Sequence, residues 1–412
     1  MAEAGPRGPS VRSDCAVEVV AGGSGIRLTA KSKVDSMYGE SLVADVRAGL
    51  AALGVKDAEV HLHDAGALPF SLLARLETAV RRAGVRVAHP LLPLAAAAPP
   101  VKSARERLRR SRLYLPGNEP KFMVNAALHG PDGVILDLED SVAPGEKDAA
   151  RALVRNALIA LDFGNVERMV RINQLPEGLA DLDWIVPYGV HLVLIPKCES
   201  AAQVRAVAER CAELAPDAPV YLMPIIESAR GCFASFEIAS AAPSVVALTI
   251  GLEDYTADLG AERSPEGKES FWARSIIVNA ARAAGVQPID TVFSDVDDMA
   301  GLRQSALEAK GLGFEGKGCI HPRQIPVVHD AFAPDAASVT RACTIVRAFE
   351  DAEKKGLAVV SLGSKMIDPP VVKRALSAVR LALLTGRLAP TWRETFVPPQ
   401  RPVKKDGGGG GE

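Results

Sequence analysis

The stretch GVILDLEDSVAPGEKDAARALVRNALIAL, residues 133–161, holds the fold in miniature. Val134, Ile135 and Leu136 form an unbroken apolar run, as expected of a strand buried on both faces of a parallel sheet. After a short connection, GEKDAARALVRNALIAL (145–161) is an amphipathic helical segment, so the two together make one β/α unit. The strand ends in three carboxylates within four positions, Asp137, Glu139 and Asp140. Like charges at the end of a buried strand repel one another and cost desolvation. A strand alone has no use for them.

The same alternation recurs to either side. Apolar runs SRLYLP (111–116), RMVRIN (168–173), VHLVLIPK (190–197), VYLMPIIE (220–227), VVALTIGLED (245–254), QPIDTVFS (287–294) and GKGCIHP (316–322) complete a set of eight strands. Amphipathic segments such as 199–215, 267–285 and 295–313 lie between them. Eight strands alternating with helices predict an α/β fold of the (β/α)8 TIM-barrel type. An open doubly wound sheet is the alternative, but no GxGxxG follows an early strand. Segments 337–356 and 369–386 are two helices more than a barrel needs, a C-terminal helical extension covering its own barrel or a neighbouring subunit.

An Ala/Pro-rich stretch, HPLLPLAAAAPP (89–100), reads as a linker. The expected organisation is a small α/β N-terminal domain over 12–86, a linker over 87–104, the barrel over 105–335, the helical extension over 336–395 and a Gly-rich tail over 396–412. In the small domain, CAVEVV and GIRLTAKS are expected as strands either side of a GGSG turn. ESLVADVRAGLAALG and SLLARLETAVRRAG are expected as helices, and AEVHLHD as a strand.

Composition narrows the function. The 412 residues are 48% hydrophobic and 24% charged with a net charge of −2, ordinary for a globular protein and without a basic footprint for nucleic acid. The six cysteines are scattered with no CxxC pair, which argues against a zinc site and for a reducing compartment. No apolar stretch approaches the ~20 residues of a membrane span, and the N-terminus lacks a signal-peptide core. The expectation is a soluble, cytoplasmic protein.

In a barrel the C-terminal strand ends meet at one mouth. Strand two brings Asp137, Glu139 and Asp140 there, strand three Arg171 and Asn173, strand four Lys197 and Glu199, strand five Glu227, and strand six Glu253 and Asp254. A hard divalent cation would turn such converging carboxylates from repulsion into coordination, and Mg2+ takes one or two of them. Arg171 and Lys197 supply positive charge for an anionic substrate, arginine being suited to bidentate carboxylate recognition. These residues point to a metal-assisted reaction of a small carboxylic acid.

The blocks RSRLYLPGNEPKFM, GVILDLEDSVAPGEKDAAR, VRINQ, LIPKCES, PIIESARG, IGLEDYTADLGAERSPEG, CIHPRQI and GSKMIDPPVV, spread over about residues 108–385, resemble the citrate lyase beta subunit of the HpcH/HpaI aldolase superfamily. SDCAVEVV, SKVDSMYGES and DAGALPFSLLARLETAVRRA resemble the citrate lyase acyl carrier (gamma) subunit. The first resemblance implies Glu227 and Asp254 as Mg2+ ligands, Arg171 as the grip on the keto-acid carboxylate, and Asp368 as a residue supplied to a neighbouring subunit's site. Asp137, Glu139, Asp140 and Lys197 would surround the metal-bound water and Arg171. It implies retro-Claisen cleavage of a 3-hydroxyacyl thioester, citryl-CoA or its carrier-bound form, to oxaloacetate and an acetyl thioester. The hydroxyl is deprotonated with Mg2+ as Lewis acid, and Asp368 handles the enolate proton; the general base stays unassigned. It further implies a homo-oligomer, a trimer or hexamer, and a citrate lyase alpha-like partner.

Carrier subunits attach phosphoribosyl-dephospho-CoA to a serine two positions before an aspartate. Here Arg12 holds that position relative to Asp14, which leaves Ser13, one residue late, as the candidate for attachment after a local shift, with Ser10 as the alternative. Without that group the barrel would act on a free CoA thioester. Malyl-, citramalyl- and methylmalyl-CoA lyases, and a non-enzymatic scaffold on a lyase barrel, remain alternatives. Ser264 and Pro265 are expected to start a helix, His321 to be structural, Cys198 to be no nucleophile, and Tyr114 and Trp272 to be core or mouth-lining residues.

Overall fold

A computed structural model describes residues 1–92, 103–264, 266–354, 360–362 and 365–397. The expected linker therefore falls largely, and the tail mostly, outside the described residues, as does Pro265. The chain divides into two compact units, Met1–His329 and Asp330–Glu412.

Eight strands of the first unit close a parallel barrel: β5 (Ser111–Pro116), β6 (Gly133–Asp137), β7 (Glu167–Arg171), β8 (Leu192–Ile195), β9 (Tyr221–Ile226), β10 (Ala247–Ile250), β11 (Gln287–Asp290) and β12 (Gly316–Cys319). β12 returns to β5, pairing Lys317 with Ser111 and Cys319 with Leu113. Ile135, Met169, Leu192, Leu194, Met223, Ile225 and Ile289 fill the interior. The expected α/β barrel is the observed architecture. A capping box starts the helix Ala201–Leu214, where Ser200 accepts the Gln203 N–H and the Gln203 side chain turns back to the Ser200 N–H.

Two local expectations are corrected. β10 stops at Ile250, and Glu253 and Asp254 lie in the first turn of the helix Leu252–Leu259 rather than on a strand end. The apolar run through Leu252 is too short for its period to separate strand from helix, and carboxylates suit a helix N-terminus. The helix after RSPEG begins at Lys268 with Gly267 as its cap, and Ser264 donates its hydroxyl to Glu269 at 2.7 Å.

The N-terminal sheet has the order β1-β2-β4-β3, with β1 (Ala2–Ala4), β2 (Cys15–Ala21), β3 (Ile26–Ser32) and β4 (Ala58–Asp64). The GGSG turn therefore makes no hairpin. β4 lies between the strands it joins, antiparallel to β2 and parallel to β3, and the helix Asp35–Ala52 carries the crossover. The second helix, Pro69–Arg82, packs against the barrel helix Lys147–Ala160. Glu77, 0% exposed, accepts two hydrogen bonds from Arg155, at 3.1 and 2.7 Å. Asn156 donates to the Phe70 carbonyl at 2.9 Å, and Arg82 grips Asp148 at 2.9 and 2.6 Å. The small domain is thus part of the barrel's own compact unit.

The second unit has its own core, with Val339, Cys343 and Val346 of the helix Ala336–Glu353 meeting Ala375, Val379 and Ala382 of Pro369–Leu384, joined by Trp392. A ribbon of β13 (Val360–Leu362) and β14 (Lys365–Ile367) links the helices.

Burial alone would raise the Glu77 carboxyl, but the hydrogen bonds and charge of Arg155 outweigh it and hold the group below its usual value. A depressed carboxyl stabilises the fold above its unfolded pKa of about 4.3 and loses that contribution as pH falls through the folded value. Glu77→Ala leaves a buried arginine unpaired and is expected to cost about 3–5 kcal/mol of unfolding free energy at pH 7. Urea titration measures it, and the deficit should shrink towards low pH.

Candidate active site

The DLED segment meets its counter-charges at the barrel mouth. Asp137 and Arg171 are register partners on β6 and β7. Arg171 Nε and Nη2 each donate to one oxygen of Asp137 at 2.7 Å, a fork-to-fork pair. Asp137 also accepts the backbone N–H of Glu139 at 3.0 Å and of Ser141 at 3.2 Å, so it shapes the loop that follows it. Arg171 Nη1 faces Glu139 at 2.6 Å, close but out of line for a hydrogen bond, and Asp140 at 3.4 Å. Its guanidinium lies over the Tyr114 ring, 5.6 Å from the centroid.

Lys197 completes the cluster, with Nζ 3.0 Å from Glu139 and 3.5 Å from Asp140. Its φ of +46° is in the left-handed region, uncommon for a residue with a side chain. That turn sends the backbone N–H to Glu227 Oε2 at 2.9 Å while the ammonium reaches Glu139. Lys147, from the following helix, donates to the Leu138 and Glu139 carbonyls at 2.7 and 2.5 Å and holds the loop from behind.

The charges sort accordingly. Burial opposes ionisation of Asp137, but Arg171 outweighs it and holds the carboxyl below its ordinary range. Burial pushes Glu139 up, while the more exposed Asp140 is held down by its hydrogen bond with Glu139 and by the charges of Arg171 and Lys197. Lys197 is raised because Glu139 more than offsets its desolvation. Glu227 differs from all of these. It is 6% exposed, no cation pairs with it among the described residues, and burial, with the charges of Glu139 and Asp254, pushes its carboxyl up to about 8.

One cavity of about 500 Å³ gathers Asp137, Asp140, Arg171, Glu227 and Asp254, with Tyr114 in its wall. A Cβ at Gly251 would come within 2.6 Å of Glu227 Oε1, so glycine there leaves that carboxylate its room. Two other expected residues turn away: Asn173 donates to Asp181, and Glu199 accepts the Ser228 hydroxyl. Glu253 lines the cavity rim, exposed and paired with Arg263. His321 accepts the Arg323 N–H at 3.2 Å, a structural role, and burial pushes the Cys198 thiol up to about 12, so it is no ready nucleophile. Asp368 belongs to the second unit, where it caps the helix Pro369–Leu384 by accepting the Val371 N–H. Ser13 has a left-handed φ of +54° and precedes Asp14, which is buried against Arg75 at 2.7 Å. Arg75 also donates to the Asn118 carbonyl at 2.8 Å, beside the mouth end of β5.

Arg112, which is no strand-end residue, also lines the cavity. Its signal is in the strand alternation, which places a charged residue in register with inward-facing Tyr114.

Residues 110–322 match the model of the HpcH/HpaI aldolase/citrate lyase family. The chain belongs to that family. It is a carbon–carbon lyase. Residues 8–83 match the acyl carrier model described as the malonate decarboxylase delta subunit, which answers the carrier-like pattern of the small domain. The citrate lyase beta subunit of Leuconostoc mesenteroides is 38% identical over 67% of this chain and 94% of its own length. Human mitochondrial citramalyl-CoA lyase is 33% identical over 66% and 85%. The structure of Mycobacterium tuberculosis CitE with magnesium, acetoacetate and coenzyme A is 34% identical, with a TM-score of 0.56, covering 68% of this chain and 99% of that one. No helix among the described residues is long and apolar enough to cross a membrane.

Asp137→Ala would strand Arg171, 12% exposed, among its remaining partners. Glu139 and Asp140 still face the guanidinium, so the expected cost is that of the lost charge-assisted fork, about 1.5–3 kcal/mol of unfolding free energy, with part of it recovered in Asp137→Ala/Arg171→Ala. A guanidinium-chloride double-mutant cycle reads that coupling directly.

Proposed function

We propose that the barrel is a magnesium-dependent lyase that cleaves a 3-hydroxyacyl-CoA thioester by retro-Claisen chemistry, with citryl-CoA as its substrate. The observation that carries this is the pair Glu227 and Asp254, which share the cavity with Arg171 and have no ion-pair partner among the described residues. A buried carboxylate pushed up by other carboxylates fits a divalent cation, which would relieve all of them together. No group of three or more His, Cys, Asp or Glu side chains that could hold a metal occurs among the described residues. Two carboxylates fit Mg2+, which keeps positions for water and substrate oxygens. Bound there, Mg2+ would supply Lewis-acid polarisation of the substrate's hydroxyl and carboxylate oxygens. The magnesium and coenzyme A bound by the M. tuberculosis relative support this reading.

The protein's own groups do the rest. Asp137 fixes one edge of Arg171, and Nη1 exchanges its contact with exposed Asp140 for the keto-acid carboxylate. Lys197 orients Glu227 through its backbone N–H and holds Glu139 in place through its ammonium. Asp368, contributed by a neighbouring subunit of a homo-oligomer, handles the proton at the enolate carbon. Arg12 cannot form the carrier phosphodiester, and Ser13 is followed at once by the buried Asp14–Arg75 pair. The small domain therefore acts as a fixed part of the enzyme, and the substrate is a free CoA thioester. Human citramalyl-CoA lyase supports a second reading in which the released keto acid is pyruvate.

Keto-acid release from a panel of hydroxyacyl-CoA thioesters with Mg2+ tests the reaction. Asp254→Asn is expected to lose both Mg2+ binding, read by calorimetry, and turnover. Asp140→Asn should keep Mg2+ binding and lower kcat about ten- to a hundredfold, the range for a group that orients the chemistry around a metal. Silence across the whole panel would sink the proposal. Intact mass spectrometry should find no mass beyond the chain itself; an added prosthetic group would restore Ser13 as a carrier serine.

A further inference from the structure

Arg112 is a buried cation in this cavity that the chemistry above does not use. It extends from β5 and is 1% exposed. Nη2 donates to the Asp290 carbonyl at 3.1 Å and stands 3.5 Å from Thr249 Oγ1, Nη1 lies 3.1 Å from Met223 Sδ, and Nε has no partner. No carboxylate pairs with it among the described residues. The Asp290 side chain is already held by Lys317 at 2.7 Å and by Arg274 at 3.2 Å. Burial lowers the Arg112 pKa below the ordinary arginine value, as expected of a guanidinium without an anion.

The contrast with Arg171 is informative. Arg171 comes from β7 and has carboxylates on all three of its nitrogens. Arg112 reaches under β9, β10 and β11, on the side from which Glu227 and Asp254 enter the cavity, and its one strong acceptor is a main-chain carbonyl. A charge buried without a counter-ion is costly unless an anion arrives to meet it. A wall that needs only bulk would place an apolar residue there, as Met223 and Ile225 do on the facing strand.

We propose that Arg112 is a second anion anchor, binding the distal carboxylate of an α-keto acid whose first carboxylate is held at Arg171. The barrel then selects keto acids with two carboxylates over those with one. This rests on the lyase reading above and narrows it: a second carboxylate distinguishes citryl-CoA, which releases oxaloacetate, from thioesters that release pyruvate or glyoxylate.

Isothermal titration of the full chain in Mg2+, with no thioester present, compares oxaloacetate with pyruvate, which differ by one carboxylate. Oxaloacetate is expected to bind about ten- to a hundredfold more tightly, the range for one charge-assisted hydrogen-bonded contact. Arg112→Met should abolish that advantage and leave pyruvate within about twofold, with an unchanged or higher Tm because an apolar side chain replaces an unpaired buried charge. Should Arg112→Met not fold, Arg112→Lys, which keeps the charge but loses the fork, is expected to keep a reduced preference, and loss of affinity for both acids alike in that variant overturns the assignment. Equal wild-type affinity for the two acids, or equal weakening of both by Arg112→Met, overturns the anchor while leaving the lyase reading intact. Binding of neither acid overturns the lyase reading and the anchor with it.

Discussion

The bidentate bond between Asp137 and Arg171 is the constraint on which the mouth of the barrel depends. It ties the ends of two adjacent parallel strands at residues that are already register partners, so the ladder itself presents the two side chains to each other. With Arg171 fixed, Glu139 and Asp140 have a cation to face, and Lys197 closes the cluster from β8's end. Three carboxylates and two cations then share one small volume, leaving a single negative charge in excess. The DLED cluster is neutralised almost entirely by protein groups. Among the described residues, the cavity carboxylates left without a protein counter-charge are those of Glu227 and Asp254, so the demand for a cation falls on them.

Much of this is legible from sequence because the barrel repeats one simple rule. Each strand is an apolar run with a polar end, and all the polar ends share one rim, so listing them recovers Asp137, Arg171, Lys197 and Glu227 together. Where the pattern misleads, it either omits non-local geometry or is too short to decide. GGSG has good turn chemistry, yet the partner of β2 is β4, which enters between the joined strands after a helical crossover. LTIGLED carries too few residues past Gly251 to reveal that Asp254 rides on a helix. Arg112 is no strand-end residue, and its place is given by alternation within β5.

The carrier-like domain shows the same separation between ancestry and present physics. A carrier that delivers its cargo between partners needs freedom to move. This one is held by a fully buried glutamate–arginine pair, an amide bonded to the Phe70 carbonyl, and the double grip of Arg82 on Asp148. Its helix Pro69–Arg82 also places Arg75 between Asp14 and the Asn118 carbonyl at the mouth end of β5. These contacts hold it against the barrel helix Lys147–Ala160, as the proposed role of a fixed wall requires.

That wall bears on substrate choice. A substrate delivered on a carrier arm is selected largely by the protein that presents it, whereas a free CoA thioester must be selected by the cavity, through differences in contact with the acyl portion. Discrimination by a methyl group in an apolar pocket is worth little, but a buried charge that only the right substrate can neutralise discriminates strongly. Arg112, enclosed and without a carboxylate partner among the described residues, is a group of that second kind. A fixed small domain and an unpaired arginine in the barrel thus point the same way, towards a site that recognises its own acid.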